Sequence, residues 1–131
     1  MTRHYGAPRR HNRRTVVASP YYDPTAREES RQSVRCRMSD VRLMHLTRET
    51  WMRHHDGEEP TEATVYRMSV NWLRHMYTDY DARVRGLWRG TPEQAAIARE
   101  VLEDIALAYP RFAPEARRQA SLYEDAAACG A

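Results

Sequence analysis

At 131 residues the chain suffices for one domain with a modest core and is too short for two. All 21 basic side chains are arginine, and five of them (Arg3, Arg9, Arg10, Arg13 and Arg14) stand with two histidines and no acid in the first 14 residues; the remaining 117 hold 16 arginines against 18 acids. Cys36 and Cys129, without a C-x-x-C motif, exclude a disulfide framework or zinc ribbon and suit a reduced, cytoplasmic setting.

The use of arginine in place of lysine is what GC-rich codons produce, but codon usage does not explain an acid-free start. With Gly6, Pro8 and almost no apolar side chains, residues 1–14 cannot offset their ordering entropy by burial, so a disordered arm is expected until an anion meets it. Residues 1–56 carry 12 arginines and 6 acids, and residues 57–131 carry 9 and 12, which places an anionic partner at the first half. No apolar run approaches the roughly 18 residues of a membrane span, and no hydrophobic region follows the arm to make it a signal peptide.

Thr15 to Asp23 reads as a linker, with Tyr21 and Tyr22 suited to pinning it to the body, stacking on bases or packing against a partner subunit. The expected organisation is a basic arm and linker over 1–23 and a single helical domain over 24–131. Asp23 and Pro24 offer the N-cap and first position of a helix that continues into a stripe of Val34, Met38, Val41 and Met44; the alternation Val34, Cys36, Met38 also suits extended chain. Thr47 predicts the next helix start, with Glu49 in its first turn, Leu46 and Trp51 as a hydrophobic staple, and an end at Asp56 before a left-handed Gly57 at C′.

Pro60-Thr61-Glu62 opens a helix with Val65, Met68, Trp72, Leu73 and Met76 on its apolar face, and Thr78 recaps a turn carrying Tyr80, Val84, Leu87 and Trp88. Gly86 and Gly90 end that segment. Thr91-Pro92-Glu93-Gln94 is the strongest cap signature, and the helix behind it buries Ala95, Ala98, Val101, Leu102, Ile105 and Ala108 before Tyr109-Pro110 stops it. Pro114 starts a last helix through Ala116, Ala120, Tyr123 and Ala127. The expected fold is all-α, a compact bundle of about five short helices, with Trp51, Trp72 and Trp88 in the core.

The stretch Leu46–Thr61 resembles the second half of a phage-repressor (Cro/C1-type) helix-turn-helix, in which a short recognition helix ends at glycine and a Pro-Ser/Thr pair opens the next helix. The resemblance implies that Arg48, Thr50, Arg53 and His54 face the major groove, with the first helical residues nearest the base edges. Two residues rather than the usual three separate Gly57 from Pro60, and Met44-His45-Leu46 stands where a small-residue turn is expected.

Other chemistry is thinly supported. His54, His55 and Asp56 with His45 or His75 have metal-binding side-chain types, but adjacent helical residues point about 100° apart, so no metal site or other cofactor is expected. His75 and Asp79 have the spacing of a pair on one helix face. No phosphate loop, nucleophile elbow or paired-carboxylate motif accompanies them, and an enzyme is not expected. The leading expectation is a small DNA-binding or transcription-regulatory protein of phage or plasmid type that grips phosphate with the arm and the helix near Arg48 to Asp56. The alternative is a non-enzymatic helical interaction or assembly protein, such as a phage structural component, that docks an acidic partner. Eight tyrosines against one phenylalanine favour an interface, and self-association fits a small core.

Overall fold

The structure, a computed structural model, describes residues 34–130, with side chains described through Glu124. The arm, the linker and the helix expected to open at Asp23 and Pro24 lie outside the described residues as far as position 33. From Val34 to Ser39 the chain is not helical, so the stripe expected through Val34, Met38 and Val41 does not form. Period two governs instead: Val34 and Met38 are buried and Cys36 packs half-buried against the same core. The Arg35 N–H donates to the Tyr77 carbonyl at 2.7 Å. The Tyr109 hydroxyl donates to the Met38 carbonyl at 2.6 Å. Burial pushes the Tyr109 phenol far above its ordinary range, so it remains a donor there.

Five α-helices follow among the described residues, which contain no strand: α1 (Asp40–His54), α2 (Glu62–Met76), α3 (Tyr80–Arg83), α4 (Pro92–Ala108) and α5 (Ala113–Gly130), with a 3-10 turn at Pro110–Phe112. The all-α expectation holds. The start of α1 does not lie at Thr47. Ser39 is the cap, and its hydroxyl accepts the Arg42 N–H at 3.1 Å. Neither Ser39 nor Thr47 has Glu or Gln three residues on, where Arg42 and Thr50 stand; Thr47 is the stronger signal in sequence only through Glu49 and the staple spacing of Leu46 and Trp51.

Thr47 lies in mid-helix and is 2% exposed. Its hydroxyl bonds back to the Met44 carbonyl at 3.0 Å and meets the Ser69 hydroxyl of α2 at 3.3 Å. Two small side chains, each satisfied within its own helix, let α1 and α2 approach closely there. Leu46 and Trp51 are consequently mid-helix residues rather than a staple. Val41 faces solvent, and Leu43 is the buried member of that turn.

The end of α1 is shifted by one residue from expectation. Asp56 occupies the left-handed C′ position with φ 53°, and Gly57, with φ 83°, donates its N–H to the Met52 carbonyl at 2.8 Å. This is the 6→1 bond of a Schellman-type end, with aspartate tolerated where glycine is usual. In α2, capped by Thr61, the fully buried side chains are Val65, Ser69, Val70 and Leu73; Trp72 and Met76 pack half-buried at the core edge.

The antiparallel pair α4 and α5 forms the centre of the fold. Its start is the expected one: Thr91 accepts the Gln94 N–H at 3.2 Å, and the Gln94 side chain accepts the Gly90 N–H at 2.9 Å. Ala95, Ala98, Val101, Leu102 and Ile105 are buried as expected, and Ala108 packs half-buried. Thr91→Ala should cost about 1 kcal/mol. A melting temperature unchanged by that substitution would show that the loop backbone alone sets the start of α4.

Candidate nucleic-acid interface

Arg3, Arg9, Arg10, Arg13 and Arg14 lie outside the described residues. The other expected contacts, Arg48, Thr50, Arg53 and His54, all belong to α1, but the helix does not gather them on one face. At about 100° per residue, Thr50, Arg53 and His54 fall within one sector, and Arg48 lies well outside it. The Thr50 hydroxyl is also used by its own helix, since it donates to the Leu46 carbonyl at 2.9 Å. Arg48 is half-buried, with Nε 3.6 Å from a carboxylate oxygen of Glu59. Arg53 and His54 stand in solvent.

A recognition helix presents its first turn to the base edges. Here that turn holds Asp40, which accepts from Arg111 Nε at 2.9 Å, and Arg48 is the ninth helical residue. The side of α1 that does face solvent carries Arg42, His45, Glu49 and Arg53, with His45 and Glu49 paired at 3.3 Å. Sequence reasoning missed Arg42 and His45 because it began the helix too late. The Ser39 cap was the available signal. Beyond His54, His55 stacks flat on Trp51, with ring centroids 3.6 Å apart and planes 7° from parallel.

A second exposed cluster lies between α3 and α4. Trp88 is 83% exposed, contrary to the expectation that it is core. Arg85 and Arg89, on either side of it, are exposed as well. Gly86 and Gly90 flank the segment with φ 85° and 87°, values that side-chain-bearing residues rarely adopt. The loop is fastened at several points. Leu87 N–H donates to the Val84 carbonyl at 3.0 Å, and the Thr91 hydroxyl donates to the Trp88 carbonyl at 3.0 Å. The backbone of Trp88 is thereby held while its indole projects into water.

His75 and Asp79 do not share a helix face, because α2 ends at Met76 before Asp79 is reached. His75 pairs with Asp81 instead, Nδ1 to Oδ1 at 2.7 Å, and Asp81 is 5% exposed. Around them Arg74 lies over the Tyr80 ring at 5.1 Å and donates to the Tyr123 hydroxyl at 3.2 Å. Gln94 donates to the Tyr80 hydroxyl at 3.0 Å. Burial raises the Tyr80 phenol above its ordinary range. The cluster ties α2, α3, α4 and α5 together, with Arg74 Nε buried and without a hydrogen-bond partner.

No family model, curated protein or solved structure matches the chain. Among the described residues, no group of three or more His, Cys, Asp or Glu side chains is placed to hold a metal ion. None of the described helices is long and apolar enough to cross a membrane. Burial raises the Cys36 thiol above its ordinary range, which disfavours the reactive thiolate.

Proposed function

We propose that the chain is a non-enzymatic nucleic-acid-binding protein, of DNA-binding or regulatory type, whose Arg-rich arm grips phosphate. One contrast carries this reading. Beyond the arm 16 arginines are outnumbered by 18 acids, and several are paired: Arg83 with Glu100, Arg111 with Asp40, Arg117 with Glu103 and Arg118 with Glu115. In the arm, five arginines stand within 14 residues that contain no acid at all. Cationic charge that the chain does not neutralise locally is available to phosphate, and each phosphate met releases counterions. The arm then supplies affinity without sequence choice, in the manner of arms that follow phosphates or enter a minor groove.

Titrating the protein with duplex DNA, single-stranded DNA and RNA of equal length at two salt concentrations tests the reading. A nucleic-acid binder loses affinity steeply as salt rises. An assembly protein that docks an acidic partner shows no duplex affinity at moderate salt and keeps its partner or a self-associated state.

In this reading α1 is the element that would read bases, as the Cro/C1-type resemblance implies, with Arg53 and His54 as its solvent-facing members and half-buried Arg48 on a different side of the helix. Replacing Arg48 and Arg53 with alanine should erode any preference between duplex sequences by about 1–3 kcal/mol at the affected base pair. A preference that survives the double substitution would remove α1 from the interface and leave the arm alone.

A further inference from the structure

Trp88, Arg85 and Arg89 form a site that the arm does not account for. We propose that the loop from Arg85 to Gly90 binds an unpaired nucleotide, with a base stacked on the Trp88 indole and the flanking phosphates met by Arg85 and Arg89. The inference rests on the nucleic-acid reading above and adds the single-stranded form of the ligand and a second site for it.

Three observations lead there. First, Trp88 is the only tryptophan placed almost wholly in water; Trp51 and Trp72 are half-buried. An indole carried into water on a fastened backbone offers a flat stacking surface on a loop that is already ordered, which lowers the ordering cost of association. Second, the ring is bracketed by two exposed cations that have no ion-pair partner among the described residues, whereas Arg83, just upstream, is held by Glu100 at 2.8 Å. A stacking aromatic between cations is how proteins hold single strands without sequence preference.

Third, the surroundings fit a base better than a protein surface. A protein interface needs a continuous apolar patch around its anchor. The other large apolar side chains in solvent among the described residues lie on helices: Val41 on α1, Leu107 on α4 and Leu122 on α5. Leu107 is about 22 Å along α4 from its first residue. Leu87, beside Trp88 in the loop, is half-buried rather than exposed. Stacking needs one ring only. The nearest acid in sequence, Glu93, is exposed in the first turn of α4 and lies beyond the Thr91 cap.

The test uses the full chain and two probes, an oligothymidine single strand and a duplex of the same length, with parent, Trp88→Ala, Trp88→Phe and Arg85→Ala/Arg89→Ala proteins. Trp88→Ala should weaken single-strand binding by roughly 5- to 150-fold, with duplex affinity and melting temperature unchanged. Trp88→Phe should restore most of the loss, since an aromatic face is what the base requires. The double arginine variant should lower the single-strand salt slope by about 1.4. If Trp88→Ala binds the single strand as well as the parent does, the stacking site is refuted and the arm reading stands. If the parent binds neither probe at low salt, both readings fail together.

Discussion

Replacing Phe112 with alanine should destabilise the protein by about 3–5 kcal/mol, a large share of the about 5–15 kcal/mol by which a domain is stable. Phe112 is the single phenylalanine of the chain and heads the fully buried side chains by size, with 0% exposure. It sits in the 3-10 turn at the bend between α4 and α5, so its ring plugs the closed end of the central helix pair. Tyr66 of α2 meets it edge-on at 5.6 Å, and the Tyr109 ring lies 5.9 Å away. Such aromatic pairs add to the area the ring buries. Truncation leaves a cavity walled by three elements, and those walls are held by other bonds: Tyr109 by the Met38 carbonyl and Arg111 by Asp40. Partial collapse is therefore resisted and the cost should fall toward the upper end. Chemical denaturation monitored by helicity checks this. A loss below about 1 kcal/mol would mean that the bend repacks freely and that the end of the helix pair is not a rigid part of the core.

Replacing Arg9, Arg10, Arg13 and Arg14 with alanine should have the largest effect on binding. If each of the five arm arginines neutralises one phosphate, the arm contributes a log–log salt slope of about −4.5 on duplex DNA, or about 500-fold in affinity over a fourfold rise in salt. The quadruple variant retains Arg3 alone and should keep an arm contribution of about −0.9. Affinity for every duplex should fall alike, since phosphate contacts carry no sequence information. Binding isotherms at several salt concentrations measure this directly. A variant with the slope of the parent would place the phosphate contacts on the body.

The difference between these two predictions mirrors what could be read from sequence. Phe112 was not singled out: it follows Pro110 in a short turn, where no helical or strand period marks a residue as inward. By contrast, α4 was legible in full, because threonine, proline and glutamine at its start and Tyr109-Pro110 at its end act locally, and its alanine-rich stripe has one face. The start of α1 was missed for the opposite reason. Thr47 looks like a cap, yet its hydroxyl is used within the helix and against Ser69, a tertiary role that no local pattern encodes. The Val34, Cys36, Met38 alternation did carry the extended course of that segment, although helical spacing competed with it.

The candidate site was legible in composition and not in geometry. Arginine without acids in the arm is visible in the sequence itself. That the Thr50 hydroxyl bonds to its own helix, that Arg48 approaches Glu59, and that Trp88 stands in water depend on where the helices begin and how the loop is fastened. Trp88 was expected in the core because its spacing from Val84 suits a helix. The chain leaves α3 at Arg83, and Gly86 at positive φ breaks the period before Trp88 is reached.

The most direct measurement is a titration of the intact protein with a short fluorescent duplex at low salt, repeated as salt is raised. Counterion release predicts measurable binding at low salt that weakens linearly on a log–log scale. Low salt is where screening is least and phosphate attraction greatest. Undetectable binding under that condition would contradict the proposal that this chain binds nucleic acid.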